Sequence, residues 1–205
     1  MTAAYYEAGQ TERSTADGPG LVVRRAVVGD ARSIAEIGVL SWQAAYRGLL
    51  PDDFLSGLSV EARAVAWDML LDGAADLASP AWVAERDGHV VGYVSTGPPR
   101  DEDVPLPAAE VYAIYVLPAA WHGGVGGALM QRAVAAWRSR QIERLVLWVL
   151  EGNSHARRFY EAMGWVPDGG LQEIDLGGIA PREVRYRLEP PRLIETPGVR
   201  TSQRG

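Results

Sequence analysis

The stretch AEVYAIYVLPAAWHGGVGGALM, residues 109–130, decides the fold. Glu110 to Val116 is rich in apolar and β-forming side chains and reads as a strand that Pro118 brings to an end. Gly123, Gly124, Gly126 and Gly127 follow, and Gly124 to Arg138 reads as a helix. A glycine inside a helix costs roughly 1 kcal/mol relative to alanine, so this cluster needs a reason. Backbone N–H groups in the first turn of a helix have no intrahelical partner. With no side chains in the way, a phosphate can approach them and accept their hydrogen bonds, helped by the helix dipole. A tight strand-to-helix turn that binds nothing would carry the same residues, and the turn alone does not separate the two.

Other glycine motifs fit less well. Counted from Gly124, a dinucleotide-binding fingerprint is satisfied at Gly126 but meets Leu129 where a third small residue belongs. The turn also falls late in the chain rather than after its first strand. The chain has no lysine, so all 20 basic residues are arginine and lysine-dependent phosphate loops are excluded.

Outward from this segment, strand and helix patterns alternate. Leu21 to Ala26 reads as a strand. Gly29-Asp30 offers a helix cap ahead of Ile34, Ile37, Ser41, Ala44 and Ala45, and Gly48 and Pro51 stop that helix. A second helix is expected over about Ser59 to Leu71, with Val65, Met69 and Leu70 as its apolar residues. Ala81 to Arg86 and Val90 to Thr96 read as strands joined by the turn Asp87-Gly88. Pro98 to Pro107 is a proline-rich acidic loop. Beyond the glycine helix, Arg144 to Leu150 reads as a buried strand, Asn153 to Met163 as a short helix, and Gln172 to Leu176 and Glu183 to Leu188 as closing strands. The order implies a mixed sheet with helices on its faces. Residues 1–20 and 190–205 read as mobile tails around one domain over 21–189.

Composition narrows the chemistry. The 205 residues carry no cysteine, which removes disulfides, thiolate nucleophiles and cysteine metal sites. His89, His122 and His155 do not make a metal-ligand spacing, and no metal is expected. The net charge of −6 argues against nucleic acid or an anionic membrane as a partner. No apolar run approaches the roughly 18 residues needed to span a bilayer. The N-terminus lacks the apolar core of a signal peptide, so a cytoplasmic location is expected.

Two motifs now bear on function. Trp121-His122-Gly123-Gly124-Val125-Gly126 resembles the signature of the GNAT superfamily of acetyl-CoA-dependent N-acetyltransferases, with Trp121 where the family usually has Gln or Arg. A second stretch, NSHARRFYEAMGW over residues 153–165, is similar to the family's Asn, Ala, Phe-Tyr, Gly-Phe pattern, with Trp165 for the last Phe. The segment SWQAAYRGLLP, residues 41–51, also looks like the first helix and turn of bacterial members. The resemblance covers roughly Leu21 to Leu188. It implies an α/β fold with a central, twisted, mostly antiparallel sheet of about seven strands flanked by about four helices. It also implies transfer of an acetyl group from acetyl-CoA to a primary amine by direct attack in a ternary complex. Alternatives are an acyl-CoA-binding module without turnover and a transferase using another acyl donor. The acceptor is expected to be a small-molecule or peptide amine, and many relatives are dimers.

The resemblance also assigns site residues. Tyr160 would be the general acid that protonates the leaving thiolate, although Ala156, Phe159, Tyr160 and Met163 equally form a helix-packing stripe. Glu110 would be the general base, or else a solvated carboxylate beside Asp101, Glu102 and Asp103. The cofactor would contact the backbone N–H of Val116 or Leu117 and the turn Trp121, His122, Gly123, Gly124, Val125, Gly126 and Gly127. Asn153 would meet the pantetheine arm or serve as a plain N-cap, and Arg157 and Arg158 could reach a phosphate. Trp42 and Tyr46, four residues apart, share a helix face and would either wall the amine pocket or pack the core.

Overall fold

The computed structural model describes residues 20–72, 79–176 and 178–188. The tails expected over 1–20 and 190–205 lie, but for Gly20, outside them. Strand β1 (Leu21–Arg25) leads through a short turn into helix α1 (Ala31–Ala45), then α2 (Asp52–Ser56) and α3 (Val60–Asp72). A meander follows: β2 (Ala81–Arg86), β3 (His89–Gly97) and β4 (Ala108–Val116). The rest is α4 (Val125–Arg138), β5 (Arg144–Leu150), α5 (Ser154–Ala162), β6 (Val166–Glu173) and β7 (Arg182–Leu188). The seven strands form one sheet in the order β1-β2-β3-β4-β5-β7-β6. Every neighbouring pair is antiparallel except β4 and β5.

Alternation along the strands builds a core on each face. Trp82, Ala84 and Val94 point to the face covered by α4, where Leu129, Met130, Ala133 and Trp137 meet them. Ala81, Val83 and Tyr93 point to the opposite face, against Ile34 and Ile37 of α1. The turn at Asp87-Gly88 takes positive φ at both residues, 51° and 79°, as a two-residue hairpin of this hand requires. No helix among the described residues is long and apolar enough to cross a membrane.

Several expectations shift. Asp30 does not cap α1 with its side chain; the carboxylate accepts the N–H of Val27 and a bidentate pair from Arg24 at 2.7 and 2.9 Å, closing the preceding turn instead. On α3, Val65, Met69 and Leu70 are exposed, because the helix docks through Trp67 and Leu71, with Trp67 edge-on to Tyr93 at 5.3 Å. Helix α2 adds a fifth helix among the described residues; Pro51, expected only to stop the preceding helix, is the N-cap of this one. The penultimate strand begins at Val166, not Gln172, and crosses Pro167 and two glycines through a register shift before Leu171.

Arg185 ties this irregular strand to the acidic loop. It is 8% exposed, binds Asp168 at 2.8 Å, Asp103 at 2.7 Å and Asp101 at 3.1 Å, and lies over the ring of Trp148. Truncation would leave the largely covered Asp168 side chain without its cation, and breaking a buried pair costs on the order of 3 kcal/mol. Arg185→Ala should therefore lower the urea midpoint of unfolding by a matching amount, with the slope of the transition unchanged.

Candidate active site

The site begins where β4 and β5 separate. The two strands pair only from Ala108 with Arg144 to Val111 with Leu147. Beyond Val111 they diverge, and Tyr112 is an extra residue in β4 between its partners on β3. The gap opens a cavity of about 660 Å³, walled by β4 from Val111 to Val116, by Trp148 and Val149 of β5, by the start of α4, and by Asn153 and Tyr160 around α5.

Two sets of backbone donors face this gap. Leu117 N–H donates to the Val91 carbonyl at 2.9 Å. Antiparallel partners alternate between bonded and unbonded pairs, so Val116, opposite Gly92, turns its amide away from β3. No β5 residue pairs with it there. Its carbonyl accepts from Ser41 Oγ at 3.0 Å and Trp121 Nε1 at 2.8 Å. Of the two expected backbone contacts, Leu117 is thus already engaged and Val116 is the one that lines the cavity.

The second set is the first turn of α4. Gly124 is its N-cap at φ 80°, a conformation open to glycine, and Ala128 N–H is the first to bond back, to Gly124 at 3.0 Å. Val125, Gly126 and Gly127 precede it with no partner inside the helix. No capping side chain and no acidic residue occupies this turn. A Cβ on Gly126 would stand 3.4 Å from the Phe159 ring, so this glycine also lets α5 approach α4. Gly124, Val125, Gly126 and Gly127 line the cavity with Trp121 and His122, whereas Gly123 lies outside its wall, with its carbonyl accepting from Arg86 at 2.9 Å. The cradle has room and donors for a phosphate, and among the described residues no acidic side chain lines it.

Around the cradle, Trp121 stacks on His155 at 5.3 Å and His122 meets the same ring edge-on at 5.7 Å. Arg158 lines the cavity. Arg157 does not; its guanidinium donates to the Tyr186 hydroxyl and to the Glu151 carbonyl, both at 3.0 Å. It closes a helix-to-strand contact and is not available to a phosphate. Asn153 is the N-cap of α5, its Oδ1 accepting the Ala156 N–H at 3.1 Å, and the residue also lines the cavity.

At the other end stands a group of tyrosines. Tyr160 is buried in the core with Trp165 and also lines the cavity. Burial pushes its hydroxyl well above the ordinary tyrosine range, so the phenol stays protonated. Tyr46 and Tyr115 line the front wall with their hydroxyls 3.4 Å apart, both also raised by burial. Trp42 lies behind this wall, edge-on to Tyr46 at 4.9 Å and under the Arg63 guanidinium at 5.1 Å; it packs the pocket's support rather than its surface. Tyr115, Trp148, Ser41 and His155 were missed in the sequence, since their roles follow from the strand gap and not from a local pattern.

Glu110 is fully buried, but not in the cavity wall. Arg100 covers it: the backbone N–H donates to Oε2 at 2.9 Å, Nε donates to Oε1 at 3.0 Å, and a second guanidinium nitrogen donates to the same oxygen. The carboxylate anchors the acidic loop to β4. Among the described residues no cluster of three or more His, Asp or Glu side chains could hold a metal ion.

Residues 40–165 match the model of the acetyltransferase (GNAT) family. The chain belongs to that family. The acetyltransferase is 27% identical over 165 residues to the uncharacterized N-acetyltransferase YuaI of Bacillus subtilis, a match covering 80% of this chain and 90% of that protein. It is 34% identical over 92 residues to the mycothiol acetyltransferase of Frankia casuarinae, which is 42% of this chain but 26% of that one. In fold, the acetyltransferase resembles PaiA N-acetyltransferase of Thermoplasma acidophilum, solved with coenzyme A, at a TM-score of 0.66 and 17% identity over 83% of this chain and 99% of that one. It also resembles the acetyltransferase yncA of Salmonella typhimurium, solved with acetyl-CoA, at 0.61 and 21% over 83% and 94%. The seven-stranded sheet with helices on both faces is the family fold.

Proposed function

We propose that this acetyltransferase moves the acetyl group of acetyl-CoA to a primary amine, by direct attack of the amine, within a domain spanning 21–189. The observation that carries this reading is the continuity of the two donor sets. The bare first turn of α4 offers Val125, Gly126 and Gly127 N–H groups to a pyrophosphate. The strand gap leading from it offers the Val116 amide to the pantetheine arm and the thioester oxygen. The coenzyme A and acetyl-CoA bound in the two solved proteins of this fold support the same donor. Tyr160 would give a proton to the departing sulfur, a reading supported by its position at the cavity wall and its protonated hydroxyl. A chain without cysteine has no thiol to carry the acetyl group in between.

Calorimetric titration with acetyl-CoA tests the cradle: one site at micromolar affinity is expected. Thiol release with a panel of primary amines then tests transfer, free of background because the protein has no cysteine. Failure to bind at millimolar donor by a folded protein would overturn the reading. Binding without thiol release from any amine would favour an acyl-CoA-binding module, and faster release from a longer acyl-CoA would change the donor. The acceptor class is a small-molecule or peptide amine; the mycothiol acetyltransferase match covers a quarter of that protein and its acceptor is not carried over.

A further inference from the structure

Arg100 neutralises Glu110, so that carboxylate is not free to take the amine's proton, and His122 and His155 are engaged with each other and with Trp121 at the cradle end of the cavity. One other carboxylate answers. On β7, Glu183 lies directly opposite Leu150 of β5 on one side and Gln172 of β6 on the other. Directly paired residues project from the same face of a sheet. Leu150 packs in one cluster with Tyr46, so Glu183 stands on the Tyr46 side of the sheet, outside the cavity wall and separated by β5 alone from the gap between β4 and β5. Its charge is felt by Tyr46, Tyr115 and Tyr160, three of the four tyrosines that line the cavity.

The side chain is partly buried and lightly held. Gln172 Nε2 donates to Oε2 at 2.8 Å, and among the described residues no arginine forms a salt bridge with it. Arg182, the next residue along β7, turns instead to Glu151 at 3.6 Å.

We infer that Glu183 is the proton acceptor of the transfer, reached from the cavity through water and the Tyr46–Tyr115 hydroxyl pair. The inference rests on the transferase reading above. The incoming ammonium loses one proton along this route to the Glu183 carboxylate. The freed nitrogen pair forms the C–N bond to the acetyl carbon as the C–S bond breaks and its electrons stay on sulfur. Tyr160 protonates that sulfur, and the second proton lost by nitrogen restores the tyrosine. Glu183 then releases its proton to solvent, so the sum is ammonium and thioester to amide, thiol and one proton.

The groups facing Glu183 tune it. Burial raises its carboxyl above the ordinary glutamate range; the Gln172 hydrogen bond and the Arg100 charge pull it down, and Glu110 pushes it up. A base must be ionised to work, so the rate should fall as pH drops through this titration. Glu183→Gln should remove the acidic limb of the pH–kcat/KM profile and lower kcat/KM about 100-fold at neutral pH, with acetyl-CoA affinity unchanged. Gln172→Ala should move that limb to higher pH, since a lowering contact is lost. Carboxyl ¹³C NMR of the free protein provides a readout apart from turnover. The glutamate signal absent from Glu183→Gln should titrate above the ordinary range and rise further in Gln172→Ala. Persistence of the acidic limb in Glu183→Gln, or an ordinary titration of that signal, overturns the assignment and leaves the transferase intact. A wild type that releases no thiol with any amine overturns the transferase reading, and this assignment falls with it.

Discussion

Gly126→Asp should weaken acetyl-CoA binding roughly 100-fold, about 2.7 kcal/mol, in a protein that is as stable as the wild type or slightly more so. The two effects have opposite signs because one position serves two purposes. Gly126 is the second residue of α4, where no acidic side chain balances the helix dipole. A carboxylate in the first turn of a helix stabilises it by about 0.3–1 kcal/mol. The new Cβ would rest 3.4 Å from Phe159, a contact that needs little adjustment. The same carboxylate would lie at the N–H groups of Val125, Gly126 and Gly127 and repel the phosphates they are proposed to hold. Calorimetry measures the affinity and thermal unfolding the stability. A loss of affinity under threefold in a folded variant would show that the phosphates bind elsewhere. A loss of affinity together with a large loss of stability would show instead that Gly126 is there for packing against α5.

Much of the fold is legible because its periods are local. The run from Glu110 to Val116, the hairpin at Asp87-Gly88 and the stripe Val125, Leu129, Ala133 on α4 each specify an element without reference to the rest of the chain. What is not legible depends on partners distant in sequence. Strand β6 contains Pro167, Gly169 and Gly170, which argue against a strand. It forms because it is an edge strand against β7, with Arg185 binding Asp168 across the irregularity. Helix α3 has apolar side chains on every side, so periodicity cannot say that Trp67 and Leu71 face inward while Met69 faces water.

The site divides along the same line. The proposed cradle is readable from Gly124, Gly126 and Gly127, though not the exclusion of Gly123 from it, and Asn153 and Tyr160 are readable from the second motif, since backbone donors and a helix start sit at fixed spacings. Side chains that act across the sheet are not. Glu110 looks available at the start of a strand, but Arg100, ten residues earlier, covers it through the loop. Arg157 and Arg158 are neighbours in sequence, yet a helical step of about 100° sends one to Tyr186 and the other to the cavity. Leu117 and Val116 are likewise separated by the pleat alone, one bonded to Val91 and the other facing the gap.

Tyr160→Phe should lower kcat about 100-fold while changing the KM for acetyl-CoA and the thermal stability little. The ring is part of the main core, packed with Trp165 and Tyr186, and phenylalanine keeps that packing. Among the described residues no protein group bonds to the hydroxyl, so its removal leaves no partner stranded. What is lost is a donor at the cavity wall. Burial holds the phenol protonated well past the ordinary tyrosine range, which keeps it charged with its proton throughout the pH range in which an amine acceptor is reactive. An ordinary thiol has a pKa of about 8.5, so at neutral pH its departure gains from a proton delivered as the C–S bond breaks. That dependence supplies a second measurement. Thioester donors with more acidic thiols leave without help, so the deficit of Tyr160→Phe should shrink as the leaving thiol becomes more acidic. A deficit that is the same for every donor would make Tyr160 a packing residue whose loss misaligns the site, and an unchanged kcat would remove it from the reaction altogether.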